Sequence, residues 1–67
     1  MRTVYAIAEE HSMHSGAYLD GPFHEIAPAL ARVGDDGWVI VRTDGVNEVI
    51  THRWSESERR WTPVSAT

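Results

Sequence analysis

The chain has 67 residues, 42% of them hydrophobic, with ten acids against six bases and a formal charge of −4. The absence of cysteine excludes disulfides and thiolate zinc sites, and no apolar run approaches the length needed to span a bilayer. The hydrophobic share argues against wholesale disorder, so the expectation is a single domain over residues 1–67.

Residues 3 to 9 read as a strand, with Val4, Ala6 and Ala8 on one face and Thr3, Tyr5, Ile7 and Glu9 on the other. Apolar members on both faces suit an interior strand. Residues 10 to 15 are polar and read as a loop or hairpin tip, and Gly16 to Asp20 as a short return strand. Asp20-Gly21-Pro22 has the chemistry of a helix start, with Pro22 in the first turn and Glu25 at the positive end. Phe23, Ile26, Leu30 and Val33 then follow at helical spacing, one apolar stripe. Pro28 interrupts that stripe, because an interior proline removes a hydrogen bond and clashes with the preceding turn. The stripe favours a kinked helix from Pro22 to Val33 over a helix that begins near Pro28.

Gly34 is the expected left-handed helix cap. Trp38 to Thr43 is a strand, Asp44-Gly45 a hairpin signal and Glu48 to Trp54 the return strand. A polar turn at 55–58 leads to a last strand, Arg59 to Val64, in which Pro63 marks an edge or an end. A turn centred on residues 57 and 58 pairs Trp54 with Trp61. The order is β-(β)-α-β-β-β. It predicts an α+β fold, a single antiparallel sheet of four to five strands with one helix packed on one face. A helix of that length cannot cover five strands, so part of the opposite face is expected to be open.

Little in this chain has the spacing that chemistry requires. His11 and His14 are the candidate metal ligands, with His24, His52, Asp20 and Glu25 as further donors. Without a third ligand at fixed spacing or an HExxH motif, the pair reads as exposed loop histidines. No GxSxG elbow, glycosidase-like carboxylate pair or phosphate-binding glycine pattern is present, so the expectation is a non-enzymatic protein with no cofactor. The remaining signal is basic and aromatic. All six bases are arginine, and Arg42, Arg53, Arg59 and Arg60 interleave with Trp38, Trp54 and Trp61 on the last three strands. Arg and Trp are enriched at binding hot spots. Arg42, Arg53, Trp54 and Arg60, on the helix-free face and its rim, are therefore the expected partner-binding residues.

The layout also resembles small phage-encoded inhibitors of the anti-CRISPR type. The residues that carry the likeness are an early Tyr5-Ala6-Ile7 strand, Ser15-Gly16-Ala17-Tyr18-Leu19-Asp20-Gly21 before the helix, an Ile/Val-rich strand, and Arg59-Arg60-Trp61-Thr62 near the end. The resemblance implies a five-stranded antiparallel sheet with one helix, and a protein that blocks the DNA-binding surface of a host CRISPR complex. The family members use lysines on the binding face, and this chain has none. The expected function is therefore protein binding by steric occlusion of a host nucleic-acid-processing complex, in the host cytoplasm and away from membranes. The alternatives are direct nucleic-acid binding by the same Arg/Trp surface, which the negative balance disfavours, a His-dependent metal-binding domain, and a homodimer joined through edge strands.

Overall fold

The computed structural model describes residues 2–64. Its best-buried segment is the run the sequence marks most strongly. Trp38–Thr43 forms a strand in which Val39, Ile40 and Val41 are all fully buried. Val4–Glu9 lies antiparallel beside it, in unbroken register from Val4 opposite Thr43 to Glu9 opposite Trp38. Glu48–Ser55 flanks it on the other side, while Asp20–Phe23 and Arg60–Pro63 form the two edges. In chain order these strands are β1 (Val4–Glu9), β2 (Asp20–Phe23), β3 (Trp38–Thr43), β4 (Glu48–Ser55) and β5 (Arg60–Pro63). They form one open antiparallel sheet, ordered β2-β1-β3-β4-β5. The expected α+β class and the interior position of β1 are both observed.

Continuous apolar runs in β1 and β3 mean that both sheet faces must be covered. One face gathers Ala6, Ala8, Val39 and Val41 under Met13, with Tyr18 and Ile50 at the margin. Met13 is delivered by a 3-10 helix, Glu10–Ser15, closed by Gly16 at φ 77°, whose N–H donates to the Met13 carbonyl at 3.3 Å. The other face gathers Ile7, Ala29, Ile40 and Trp61, bordered by Tyr5, Phe23, Ile26, Trp38 and Trp54.

Several expectations are corrected here, among them the return strand, which runs over Asp20–Phe23 and not Gly16 to Asp20. Residues 10 to 15 are not merely a polar loop, because Met13 turns the segment into the lid of the helix-free face. The helix is also much shorter than the apolar stripe implies. Only Ala27–Leu30 (α1) is helical, with Pro28 in its first turn, where a missing N–H leaves no bond unmade. Asp20-Gly21-Pro22 starts no helix. It belongs to edge strand β2, with a cis Gly21–Pro22 bond, and an edge is where a sheet tolerates proline. The stripe breaks accordingly. Phe23 and Ile26 are half-buried, whereas Val33 is 70% exposed.

Gly34 is not a left-handed cap either. It is buried, and a Cβ there would lie 2.7 Å from the Trp54 ring. The glycine lets the chain after α1 press its backbone on that indole. Trp61 fastens the same segment by donating its Nε1 hydrogen to the Arg32 carbonyl at 2.8 Å.

Candidate functional site

Strand alternation and register assign each expected contact residue to a face. Arg42 lies opposite Tyr5 of β1 and Val49 of β4, two residues beyond buried Ile40. It therefore shares the face that carries α1. Trp54, opposite Trp61, is on that face as well. Arg53, opposite Val39, projects from the other face, and Arg60, opposite Ser55, follows it there. The four residues thus divide between two sides of the sheet. For Arg42 and Trp54 the expected helix-free location is corrected. Alternation in β3 opposes Arg42 to Val41, so the two cannot share a face.

Ion pairing separates them further. The Arg53 guanidinium donates from Nε to Glu10 Oε1 at 3.1 Å and from Nη2 to Oε2 at 2.7 Å. That two-point bond holds the Glu10 carboxyl below its ordinary range and raises Arg53. It also ties the start of the 3-10 helix to β4. Arg32 donates to Asp20 at 2.7 Å and lies over the Phe23 ring, while Arg59 pairs with Glu56 and lies over Trp54. Trp54 meets Trp61 edge-to-face, centroids 5.2 Å apart at 75°, and donates its Nε1 hydrogen to Glu56 at 3.2 Å. These contacts place Trp54 in the fabric of the β4–β5 hairpin.

Arg42 differs. Among the described residues it makes no ion pair within 4.0 Å and no side-chain hydrogen bond. It stands in a depression of about 500 Å³ lined by Thr3, Tyr5, Arg42, Asp44, Asn47 and Val49. The Asp44 carboxylate is directed at its own turn. Its Oδ1 accepts the Val46 and Asn47 N–H groups, both at 2.9 Å. Those bonds, helped by the nearby Arg42 charge, hold Asp44 below the usual carboxylate range. The side chains of Tyr5, Thr3 and Asn47 likewise have no hydrogen-bond partner among the described residues. Val49, 44% exposed, lines the depression, and Val46, 72% exposed, lies in the adjoining turn. The Asp44-Gly45 signal alone misses this register: a two-residue turn there would set Asn47 opposite Arg42, whereas the four-residue connection 44–47 sets Val49 there.

The histidines are scattered. His11 is exposed and lies 3.1 Å from Glu9, and the side chain of His14 lies outside the described residues. Among the described residues, no three His, Asp or Glu side chains are grouped so as to hold a metal ion. His52 is half-buried on β4, its Nδ1 3.0 Å from the Thr51 hydroxyl, and burial pushes its pKa down.

No protein-family model, curated protein sequence or solved structure matches the chain. No helix of the described residues is long and apolar enough to cross a membrane.

Proposed function

We propose that this chain is a non-enzymatic protein-binding module that acts by covering a surface of its partner. The observation that carries the reading is the end of the α1-bearing face that none of the described residues covers. There Arg42, between Tyr5 and Val49, has no ion-pair partner among the described residues, and Val49 is exposed beside it. An arginine and an aromatic ring beside exposed aliphatic side chains is the mix that dominates protein interfaces.

Charge distribution weighs against the nucleic-acid alternative. Arg32, Arg53 and Arg59 are each neutralised by a carboxylate. Of the three remaining arginines, Arg2, Arg42 and Arg60, the last two lie on opposite faces, so those two charges form no stripe along which a phosphate backbone could run. A host nucleic-acid-processing complex, the target class implied by the anti-CRISPR resemblance, is the first partner to test.

The test is capture of the partner on the immobilised chain, followed by affinity measurement with Arg42→Glu and Arg53→Ala. Arg42→Glu is expected to abolish binding and Arg53→Ala to leave it nearly intact. Equal affinity for Arg42→Glu and the unmodified chain would overturn the reading.

A further inference from the structure

We propose that Asp36-Gly37 is a site of spontaneous covalent modification, at which the aspartate rearranges to isoaspartate while the fold protects the other two Asp-Gly pairs of the chain.

The sequence holds three such pairs, Asp20-Gly21, Asp36-Gly37 and Asp44-Gly45. The chemistry open to each is the same. The glycine amide nitrogen attacks Cγ of the preceding aspartic acid, and a new N–C bond closes a five-membered succinimide. The amide proton and the carboxyl hydroxyl leave together as water. A second water opens the ring at either carbonyl, which restores aspartate or leaves the main chain running through the side-chain carbon. Glycine favours closure because it has no Cβ to obstruct it. The step needs an amide free of other bonds, a protonated carboxyl and a backbone able to turn onto it.

Two of the pairs lack these conditions. Asp20 and Gly21 both lie in β2, where extended backbone holds the main chain away from the ring-closing torsion. Asp20 Oδ2 accepts from Arg32 Nε at 2.7 Å and Oδ1 from the Gly21 N–H at 2.9 Å. An N–H aimed at an oxygen presents its proton to the carboxylate, not the face of the nitrogen to Cγ. In the second pair, Asp44 Oδ1 accepts the Val46 and Asn47 N–H groups, and the Gly45 N–H is given to the Thr43 hydroxyl at 3.1 Å. The Arg32 bond and the turn amides also keep the Asp20 and Asp44 carboxyls below their ordinary range. Each unit of such lowering thins the reactive acid form about tenfold.

Asp36-Gly37 is exposed and lies in the turn just before β3. Among the described residues the Asp36 carboxylate has no hydrogen-bond or ion-pair partner, and the Gly37 N–H has no acceptor. Gly37 has φ 84°, and a Cβ built there meets nothing within 4 Å, so the turn has room to close the ring. The turn also carries structure. The Trp38 N–H donates to the Asp35 carbonyl at 3.0 Å, and the Gly37 carbonyl accepts the Glu10 N–H at 3.0 Å. An isoaspartyl linkage inserts one more carbon into the main chain between these bonds. It therefore loosens the entry to β3 and the start of the 3-10 helix that delivers Met13, with no change in formal charge.

The chain has arginine and no lysine, so trypsin places the three pairs on separate peptides, Thr3–Arg32, Val33–Arg42 and Thr43–Arg53. The chain is aged at neutral pH and physiological temperature, once folded and once in urea, and then digested. Retention time separates the isomers, and fragment ions specific to the β-linkage assign the residue. In the folded chain, isoaspartate is expected at Asp36 about tenfold or more faster than at Asp20 or Asp44, and in urea the three rates should converge. Asp36→Glu should remove the signal from Val33–Arg42, and the Glu10 amide should exchange faster in aged than in fresh protein. Comparable rates at the three pairs in the folded chain would overturn the proposal. So would faster conversion at Asp20 or Asp44, isoaspartate at Asp35 in place of Asp36, no conversion at Asp36, or the same ranking in urea as in the fold.

Discussion

The two faces of this sheet are covered by different means. On one, four small residues, Ala6, Ala8, Val39 and Val41, need only a thin layer, which Met13 from a two-turn 3-10 helix supplies together with Tyr18 and Ile50. On the other, Ile7, Ile40 and Trp61 stand taller, and a four-residue helix covers only part of the surface. The Trp38, Trp54 and Trp61 rings fill in beside α1, and among the described residues nothing covers the far end of the face, around Arg42. The cover a face needs follows from the size of its side chains, and the openness around Arg42 follows from the shortness of α1.

Truncation at each anchor tests this contrast. Trp61→Ala is expected to have the largest effect, about 3–5 kcal/mol. It removes a buried indole, its edge-to-face contact with Trp54 and its hydrogen bond to the Arg32 carbonyl. Met13→Ala should cost about 2–5 kcal/mol, but with a different footprint. Hydrogen exchange should accelerate at the Gly16 and Leu19 amides, which are bonded to Met13 and Ile7, before it does at the β4–β5 pairing. Denaturant melts combined with exchange measure both. If Met13→Ala had no effect on stability, the account of the helix-free face would be wrong.

Gly34→Ala comes next. The added methyl meets the Trp54 ring at 2.7 Å, so overpacking of roughly 1–3 kcal/mol is expected. Because the chain has three tryptophans, the Trp54 indole N–H resonance rather than bulk emission reports that contact, and its shift should accompany the lower denaturation midpoint.

Acid sensitivity should be smaller and should differ between faces. Burial lowers the pKa of His52 below 6.5, so the fold favours the neutral ring. Its contribution is complete above pH 6.5 and is lost as pH falls through the depressed folded value. Tm measured from pH 8 to 5 should fall less in His52→Gln than in the unmodified chain.

The smallest effect belongs to Arg53 and Glu10. The paired carboxylate stabilises above its ordinary value of 4.5, and that contribution disappears as pH falls through the lowered folded value. The pair is exposed, and solvent screens it. Arg53→Gln should therefore lower Tm only slightly at pH 7, and the difference should close in acid.

Local chemistry made much of this molecule legible. The Trp38–Thr43 run, the Asp44-Gly45 turn, the edge position of Pro63 and the Trp54–Trp61 pair all follow from residue pattern, because hairpin geometry links neighbours in sequence to neighbours in space. Arg42 was legible only by residue type, as an arginine among the strands that carry the tryptophans. The segment from 10 to 33 was not legible in this way. Its single Met among polar residues gives no periodicity, and its proline-broken stripe imitates a helix. Only tertiary packing decided which half of that stripe was buried, that Gly34 would serve close approach, and that Arg53 would meet a carboxylate 43 residues away. These outcomes depend on which surfaces meet across the sheet, and chain spacing carries no record of that.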